Sequence, residues 1–179
     1  MSGAENLSED KWTFGIRVIP GAVPRATLRT TLTYRIYPRL TAGVEVNPRA
    51  DNAGGRVSPL INWLVTPETE RRPALIIGTS SDRIGTPDGQ SFYATLSKNL
   101  KRETGLPIAP YAGVAYGTYE HSWRPLAGLN VYFTRKFSAL VIYDGVRVHP
   151  MLSYAHGRHN FSFVLAFANK PGFSYSISF

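Results

Sequence analysis

The four histidines and the serines near them are the residues of this chain that could most readily act as bases and nucleophiles. His121 and Ser122 are adjacent, so on a strand their side chains would point to opposite faces and could not form a nucleophile and base pair. In a loop, which the stretch TYEHSWR suggests, that restriction is weaker. Hydrolysis at this position is therefore a minor alternative.

The remaining histidines lie between residues 149 and 159. His149 and Ser153 would share one face of a strand, but their separation along it would be about 13 Å, too far for contact. His156 and His159 have the spacing of a metal-binding pair, yet no convincing third ligand accompanies them. A polar turn accounts for this pair, and the sequence predicts no catalytic residue, no metal site and no cofactor.

Basic residues outnumber acidic ones by 20 to 12, which gives a formal net charge of +8. Many of the arginines are spaced singly along the chain: Arg17, Arg29, Arg35, Arg56, Arg83, Arg124, Arg147 and Arg158. Proteins that bind nucleic acid usually concentrate their charge on one face or segment. The scatter therefore argues against a nucleic-acid partner, and it raises the question of which elements position these guanidinium groups.

Alternation of apolar and polar residues indicates strands along most of the chain. It is clearest in residues 12–18, 28–36, 40–47, 91–97 and 160–168. Only a pleated strand sends neighbouring side chains to opposite faces with a period of two. Because tight stretches such as YPRL and FTRKF separate these segments, the pattern predicts an antiparallel meander.

These segments and several less regular ones add up to about twelve strands, with 10 to 12 plausible, each taking roughly 15 residues with its turn. The predicted fold is all-β: one transmembrane, antiparallel, up-and-down β-barrel over residues 11–179, preceded by a flexible segment over residues 1–10. In VSPLINWLV and PALIIGTSS apolar residues occupy both parities. The faces of these two central strands are therefore ambiguous, although Trp63 is expected to point outward.

Three features favour a wet interior with an apolar outer surface over the soluble arrangement, in which the apolar face is the core. The polar face mixes charged with small residues, aromatic residues concentrate near strand ends as in membrane girdles, and twelve strands enclose more space than apolar side chains usually fill. The predicted lumen-lining residues are Arg17, Arg29, Arg35, Glu45, Asn130 and Arg147. They would either select anions or form a hydrogen-bonded plug.

The composition sets further bounds. The chain has no cysteine, which excludes disulfides and thiolate metal sites. It also lacks a run of about 18 apolar residues that could span a bilayer as a helix. The first residues, MSGAENLSEDKW, show neither the basic region nor the apolar stretch of a secretory signal, so we expect a mature form or a protein that stays where it is made.

The chain ends on GFSYSISF, in which Phe173, Tyr175 and Ile177 alternate with serines and Phe179 is last. This ending resembles the C-terminal insertion signal of bacterial outer-membrane β-barrel proteins, which typically finish on Phe; it identifies no subfamily. The resemblance implies a place in the bacterial outer membrane. It also implies membrane lipid, including lipopolysaccharide, and the outer-membrane assembly machinery as partners. Independently, a sheet in lipid must close, so the last strand should pair with the first.

The sequence therefore predicts a small porin-like channel in the outer membrane, with both termini on the periplasmic side and an arginine-biased lumen for small anionic solutes. A closed barrel that acts as a structural or assembly partner in an envelope complex is the main alternative. A lipid hydrolase at the barrel rim around His121 and Ser122, and a soluble ligand-binding barrel, are weaker alternatives. No nucleic-acid partner is expected.

Overall fold

A computed structural model of the protein describes residues 10–50 and 56–179. The flexible segment predicted for residues 1–10 falls almost wholly outside the described residues, as does part of the loop expected after residue 47. The strands are β1 (Trp12–Val18), β2 (Leu28–Tyr37), β3 (Leu40–Asn47), β4 (Arg56–Thr66), β5 (Ala74–Ser81), β6 (Gln90–Ser97), β7 (Ile108–Gly117), β8 (Ser122–Tyr132), β9 (Phe137–Tyr143), β10 (Val148–His156), β11 (His159–Ala166) and β12 (Lys170–Ser178). Two helical turns, α1 (Pro24–Thr27) and α2 (Lys101–Thr104), interrupt them.

The twelve described strands form one closed antiparallel barrel in which each strand pairs with its neighbours in sequence. The β1 and β12 strands close it, with Thr13 opposite Ser178 and Val18 opposite Phe173. The predicted all-β antiparallel barrel of about twelve strands and the predicted pairing of the last strand with the first are confirmed. Closure leaves no edge strand, because every strand is hydrogen-bonded to a neighbour on both sides.

The outer surface of the barrel is apolar. Each of the twelve strands contributes at least one large hydrophobic side chain that is more than a third exposed; one from each strand, in order, gives Phe14, Leu32, Val44, Ile61, Ile77, Phe92, Val114, Leu129, Val141, Leu152, Phe163 and Phe173. The buried polar residues on the opposite parity include Glu45, Asn47, Ser58, His149 and Ser162. This distribution is the reverse of a soluble barrel, whose apolar residues face inward.

The two strands of ambiguous pattern are explained by packing inside the barrel. In β4 the outward face carries Ile61 and Trp63, which are 42% and 49% exposed, and the predicted outward position of Trp63 is confirmed. In β5 Ile77 is exposed, whereas Ala74 and Ile76 on the other parity are buried. Apolar residues on both parities therefore reflect one outer face and one packed inner face. No helix within the described ranges is long and apolar enough to cross a membrane.

The strand connections divide between two ends of the barrel. The terminal end, which holds Trp12 and Phe179, carries the connections 38–39, 67–73, 98–107, 133–136 and 157–158. The opposite end, called the far end here, carries residues 19–27, 82–89, 118–121, 144–147 and 167–169. Two far-end segments fold inward, because Ile19, Arg25, Ala26 and Thr86 are all at most 1% exposed. The far end of the lumen is thus built from strand side chains together with these two segments.

Candidate functional site

A cavity of about 370 Å³ lies inside the barrel toward the far end. Arg17 of β1 and Arg29 of β2 both line it, and the two residues are directly opposite each other across the pair of strands. Small residues of the same wall, Gly15, Ser174 and Ser176, also line the cavity. The two arginines and these small residues therefore line the same side of the cavity.

The two arginines differ in their partners. Arg29 Nη2 lies 2.5 Å from Glu45 Oε2, and Asn47 Nδ2 donates a hydrogen bond of 2.8 Å to Glu45 Oε1. Arg17 makes no hydrogen bond or ion pair with any residue that the structure describes, and the Nε atoms of both Arg17 and Arg29 are buried without an acceptor. Of these two adjacent guanidinium groups, only that of Arg29 is in direct contact with a carboxylate.

A second charged group ties together the far-end connections. Arg83 donates from Nη2 and Nε to the carboxylate of Glu120, at 2.6 and 3.2 Å, and Arg124 Nε donates to Glu120 Oε2 at 2.9 Å. The Arg83 guanidinium, together with Arg124, lowers the pKa of Glu120, and the same hydrogen bond raises the pKa of Arg83. A carboxylate held between two guanidiniums joins residues 82–89 to the turn before β8.

Arg25 of α1 holds the segment 82–86 against the barrel. Its Nε donates to the carbonyl of Thr86 at 3.0 Å, and its Nη2 donates to the carbonyls of Asp82 and Arg83 at 3.0 and 2.6 Å. Burial lowers the pKa of Arg25, against the opposing effect of Glu45 and Asp82. The charge is thus satisfied mainly by neutral carbonyl groups.

The buried His149 has a structural role. Its Nε2 lies 2.9 Å from Asp144 Oδ2, and its Nδ1 accepts the backbone N–H of Phe167 at 3.1 Å. Burial raises the pKa of Asp144, but His149 and the backbone N–H groups of Arg147 and Val146 outweigh it, so the pKa lies below its ordinary value. Both ring nitrogens are engaged, which leaves none to act as a base, and the contact holds a turn in which Phe167 has φ of 56°.

The other predicted lumen residues lie apart from this cavity. Arg35 is on the inner parity of β2, opposite Thr41 and toward the terminal end. Asn130 of β8 donates to the Tyr132 hydroxyl at 2.8 Å, and its own carbonyl oxygen is buried without a described donor. The structure therefore brings together only Arg17, Arg29 and Glu45 of the predicted set.

The placement predicted for Arg147 is wrong. Arg147 lies in the turn before β10 and is exposed. Asp144 Oδ1 accepts the backbone N–H groups of both Val146 and Arg147, and the Asp144 N–H bonds to the Arg147 carbonyl. This hairpin turn begins at Asp144, so the alternation of β10 does not extend back to Arg147.

The residues considered for catalysis and for metal binding lie at separate places; His156 and His159 are opposite each other on β10 and β11. His121 is exposed in a turn with φ of 49°, and the buried Ser122 Oγ has no hydrogen-bond partner among the described residues. Ser153 bonds to Ser162 at 2.8 Å, and His159 Nδ1 bonds to the Tyr175 hydroxyl at 2.8 Å. Within residues 10–50 and 56–179, no group of three or more histidine or acidic side chains is arranged to hold a metal ion.

The residues of the predicted insertion signal line the seam of the barrel. Phe173, Tyr175 and Ile177 share the parity of β12 that pairs with outward residues of β1. Phe179 follows the strand, is 52% exposed, and exchanges two backbone hydrogen bonds of 2.9 Å with Trp12. Their recognition by an assembly machinery stays a prediction.

Sequence patterns did not indicate a role for the far-end residues Arg25, Asp82 and Glu120. One local signal existed for Arg25, since Pro24 before it favours the first turn of a helix. No protein-family model matches the chain, and no curated protein matches it either. Its function is therefore inferred from the geometry described above.

Proposed function

We propose that the protein is an outer-membrane β-barrel whose lumen provides a narrow passage for small anionic solutes. The observation that carries the passage is the pair of guanidinium groups on the cavity wall, Arg17 and Arg29, of which only Arg29 is directly bound to a carboxylate, Glu45. Cationic side chains that line a pore favour anions over cations. Asp82 and Asp144 also line the cavity, but backbone N–H groups and His149 hold their carboxylates.

Membrane insertion is supported by the exposed apolar side chains of all twelve described strands. A soluble monomer rarely exposes apolar patches larger than a few hundred Å², whereas in lipid the same surface is favourable. The closed sheet has no free edge strand, and an open edge in lipid would leave backbone groups without partners. The ending Phe173 to Phe179, which resembles the outer-membrane insertion signal, adds a sequence argument for the same location.

Conductance in planar lipid bilayers tests the passage. We expect single-channel current from the purified protein, with a reversal potential in a KCl gradient whose sign corresponds to chloride permeating faster than potassium. Arg17→Glu should move the reversal potential toward cation selectivity. The control Arg147→Glu makes the same charge change in an exposed turn at the same end and should have a much smaller effect. Current no higher than that of protein-free bilayers would refute the passage.

A second candidate is favoured by the packing of the far end. Arg25, Glu45 and Asn47 are each at most 1% exposed, so polar side chains fill part of the lumen. A barrel closed in this way would act as a structural or assembly partner in an envelope complex. The two candidates differ in whether a path for solutes opens when the inward-folded segment 82–89 moves.

Arg25→Met separates the two candidates, because it removes the donors that hold the carbonyls of Asp82, Arg83 and Thr86. Faster trypsin cleavage after Arg83 would report that the segment 82–89 has been released. If the segment constricts a passage, the variant should then show a larger current than the parent protein. If the barrel is closed by its strand side chains, the current should stay at background despite the faster cleavage.

A further inference from the structure

We propose that Arg17 and Arg29 form a binding site for a compact oxyanion, such as a phosphate or carboxylate group. This inference rests on the proposed anion passage and names the chemistry that the passage prefers. It is carried by a feature that anion conduction alone does not require, the direct cross-strand pairing of two partly buried arginines on a cavity wall.

Two like charges directly opposite each other on adjacent strands destabilise a sheet. Glu45 compensates Arg29 at 2.5 Å, but Arg17 has no described carboxylate within ion-pair distance. A charge that is partly withdrawn from water without a partner is destabilising. An anion in the cavity would offset the repulsion between the two guanidinium groups and would accept hydrogen bonds from their unpaired N–H groups.

The donors around the cavity suit an oxyanion better than a halide. The guanidinium fork presents N–H groups in a plane that matches two oxygens of one carboxylate or phosphate. Arg17 and Arg29 each have a buried Nε without an acceptor. The hydroxyls of Thr31, Ser174 and Ser176 belong to residues of the same cavity wall and are further donors. A spherical chloride ion cannot use this set of directions fully.

The acidic residues around the cavity do not compete for Arg17. Asp82 accepts the backbone N–H groups of Arg83 and Tyr119, at 2.8 and 3.3 Å. Asp144 is held by His149 at 2.9 Å. Arg83, which also lines the cavity, is bound to Glu120. Among the charged residues of the described cavity wall, Arg17 is thus the group whose hydrogen-bonding capacity is least used.

Thermal unfolding of the full chain in detergent micelles tests the site. Inorganic phosphate and acetate, each compared with chloride at equal ionic strength, are the probes, and their two responses distinguish a tetrahedral from a planar ligand. We expect at least one of them to raise the unfolding temperature in a saturable way. Arg17→Gln should weaken the apparent affinity about tenfold or more, the loss expected for a charge-assisted contact.

The effect of Arg17→Gln on stability in the absence of an oxyanion separates a binding site from a structural role. In chloride alone, Arg17→Gln should unfold at the same or a higher temperature than the parent, because it relieves the repulsion from Arg29. The control Arg147→Gln removes one positive charge from an exposed turn and should keep the full response to the oxyanion. Equal responses of the parent, Arg17→Gln and Arg147→Gln, or no response to either probe, would overturn the site.

Failure of this site and failure of the passage give different results. Anion-selective current in KCl, with no effect of phosphate or acetate on current or stability, would overturn the site and leave the passage standing. Stabilisation that depends on Arg17, in a protein that carries no current, would leave the site standing and refute the passage.

Discussion

At the scale of single residues, the lumen chemistry of this barrel is that of guanidinium groups and their acceptors. Arg25 donates to carbonyls, Arg83 donates to a carboxylate, and Arg29 Nη2 is paired with Glu45, whereas Arg17 has none of these partners. A guanidinium stays charged at any accessible pH. The hydrogen-bond acceptors around an arginine therefore decide whether it stabilises the fold or is available to bind a solute.

Glu120 provides a prediction about pH. Its pKa is lowered from 4.5 in the folded protein, so its ionised form stabilises the fold above pH 4.5, and this contribution is lost as the pH falls through the lowered folded value. Glu120→Gln should reduce the free energy of unfolding at pH 7 by about 1 kcal/mol, the size expected for a partly exposed ion pair. Urea unfolding in micelles at a series of pH values measures the difference, which should shrink below pH 4.5.

The matched control for Glu120 is Glu70→Gln. Glu70 also pairs with an arginine, Arg102, but both side chains are more than 70% exposed. Its replacement should change the free energy of unfolding very little at any pH. A difference between Glu120→Gln and the parent that stays constant from pH 7 to pH 3 would contradict the role assigned to the Arg83 and Glu120 pair.

At the scale of elements, the strands were predictable because alternation is local, whereas the inward-folded segments were not. Most strands show their two faces within about ten residues, as in Phe161 to Leu165. The hold of Arg25 on Thr86 joins residues 61 apart, and nothing in either segment indicates the other. Arg147 shows that the alternation can also mislead over a short distance. The pattern of β10 continues back to Arg147 in the sequence, but the Asp144 side chain binds the backbone N–H groups of Val146 and Arg147 and forms a turn there.

The seam between β1 and β12 gives a prediction at this scale. Thr13 and Ser178 are directly opposite each other on the paired strands, and their hydroxyl oxygens lie 3.1 Å apart. The Cα atoms of such opposite residues lie about 4.5–5.5 Å apart in antiparallel sheets, which suits a disulfide after both are changed to cysteine. Because the chain has no cysteine of its own, Thr13→Cys with Ser178→Cys should form one crosslink under mild oxidation. A mobility shift in a denaturing gel, reversed by reductant, would report it.

The control for the seam combines Thr13→Cys with Ser138→Cys, which lies on β9, a strand that is not a neighbour of β1. This pair should not crosslink within one chain. Equal crosslinking of both pairs, or none across the seam, would contradict the closed barrel in solution.

At the scale of the whole molecule, the inner face of the barrel is polar and the outer face is apolar. A charged side chain should therefore destabilise the protein on the outer face and be tolerated on the inner face. Leu32 and Thr33 are neighbours on β2; Leu32 is 38% exposed on the outer face, and Thr33 faces the lumen. In lipid vesicles, Leu32→Arg should lower the free energy of unfolding by about 2–4 kcal/mol. Thr33→Arg should lower it by clearly less, and the reverse order would argue against a lipid-facing outer surface.

The paired backbone hydrogen bonds between Trp12 and Phe179 make the barrel a ring in its connectivity as well as its shape. A short linker from residue 179 to residue 10, with new ends opened between Gly157 and Arg158, would yield a circular permutant with the same strand order. Such a permutant should refold in micelles, since every strand pair is kept. The last strand of this permutant would no longer end on Phe179. Comparing its refolding in micelles with its insertion into membranes in cells would therefore separate the role of Phe179 in closing the sheet from its role as an insertion signal.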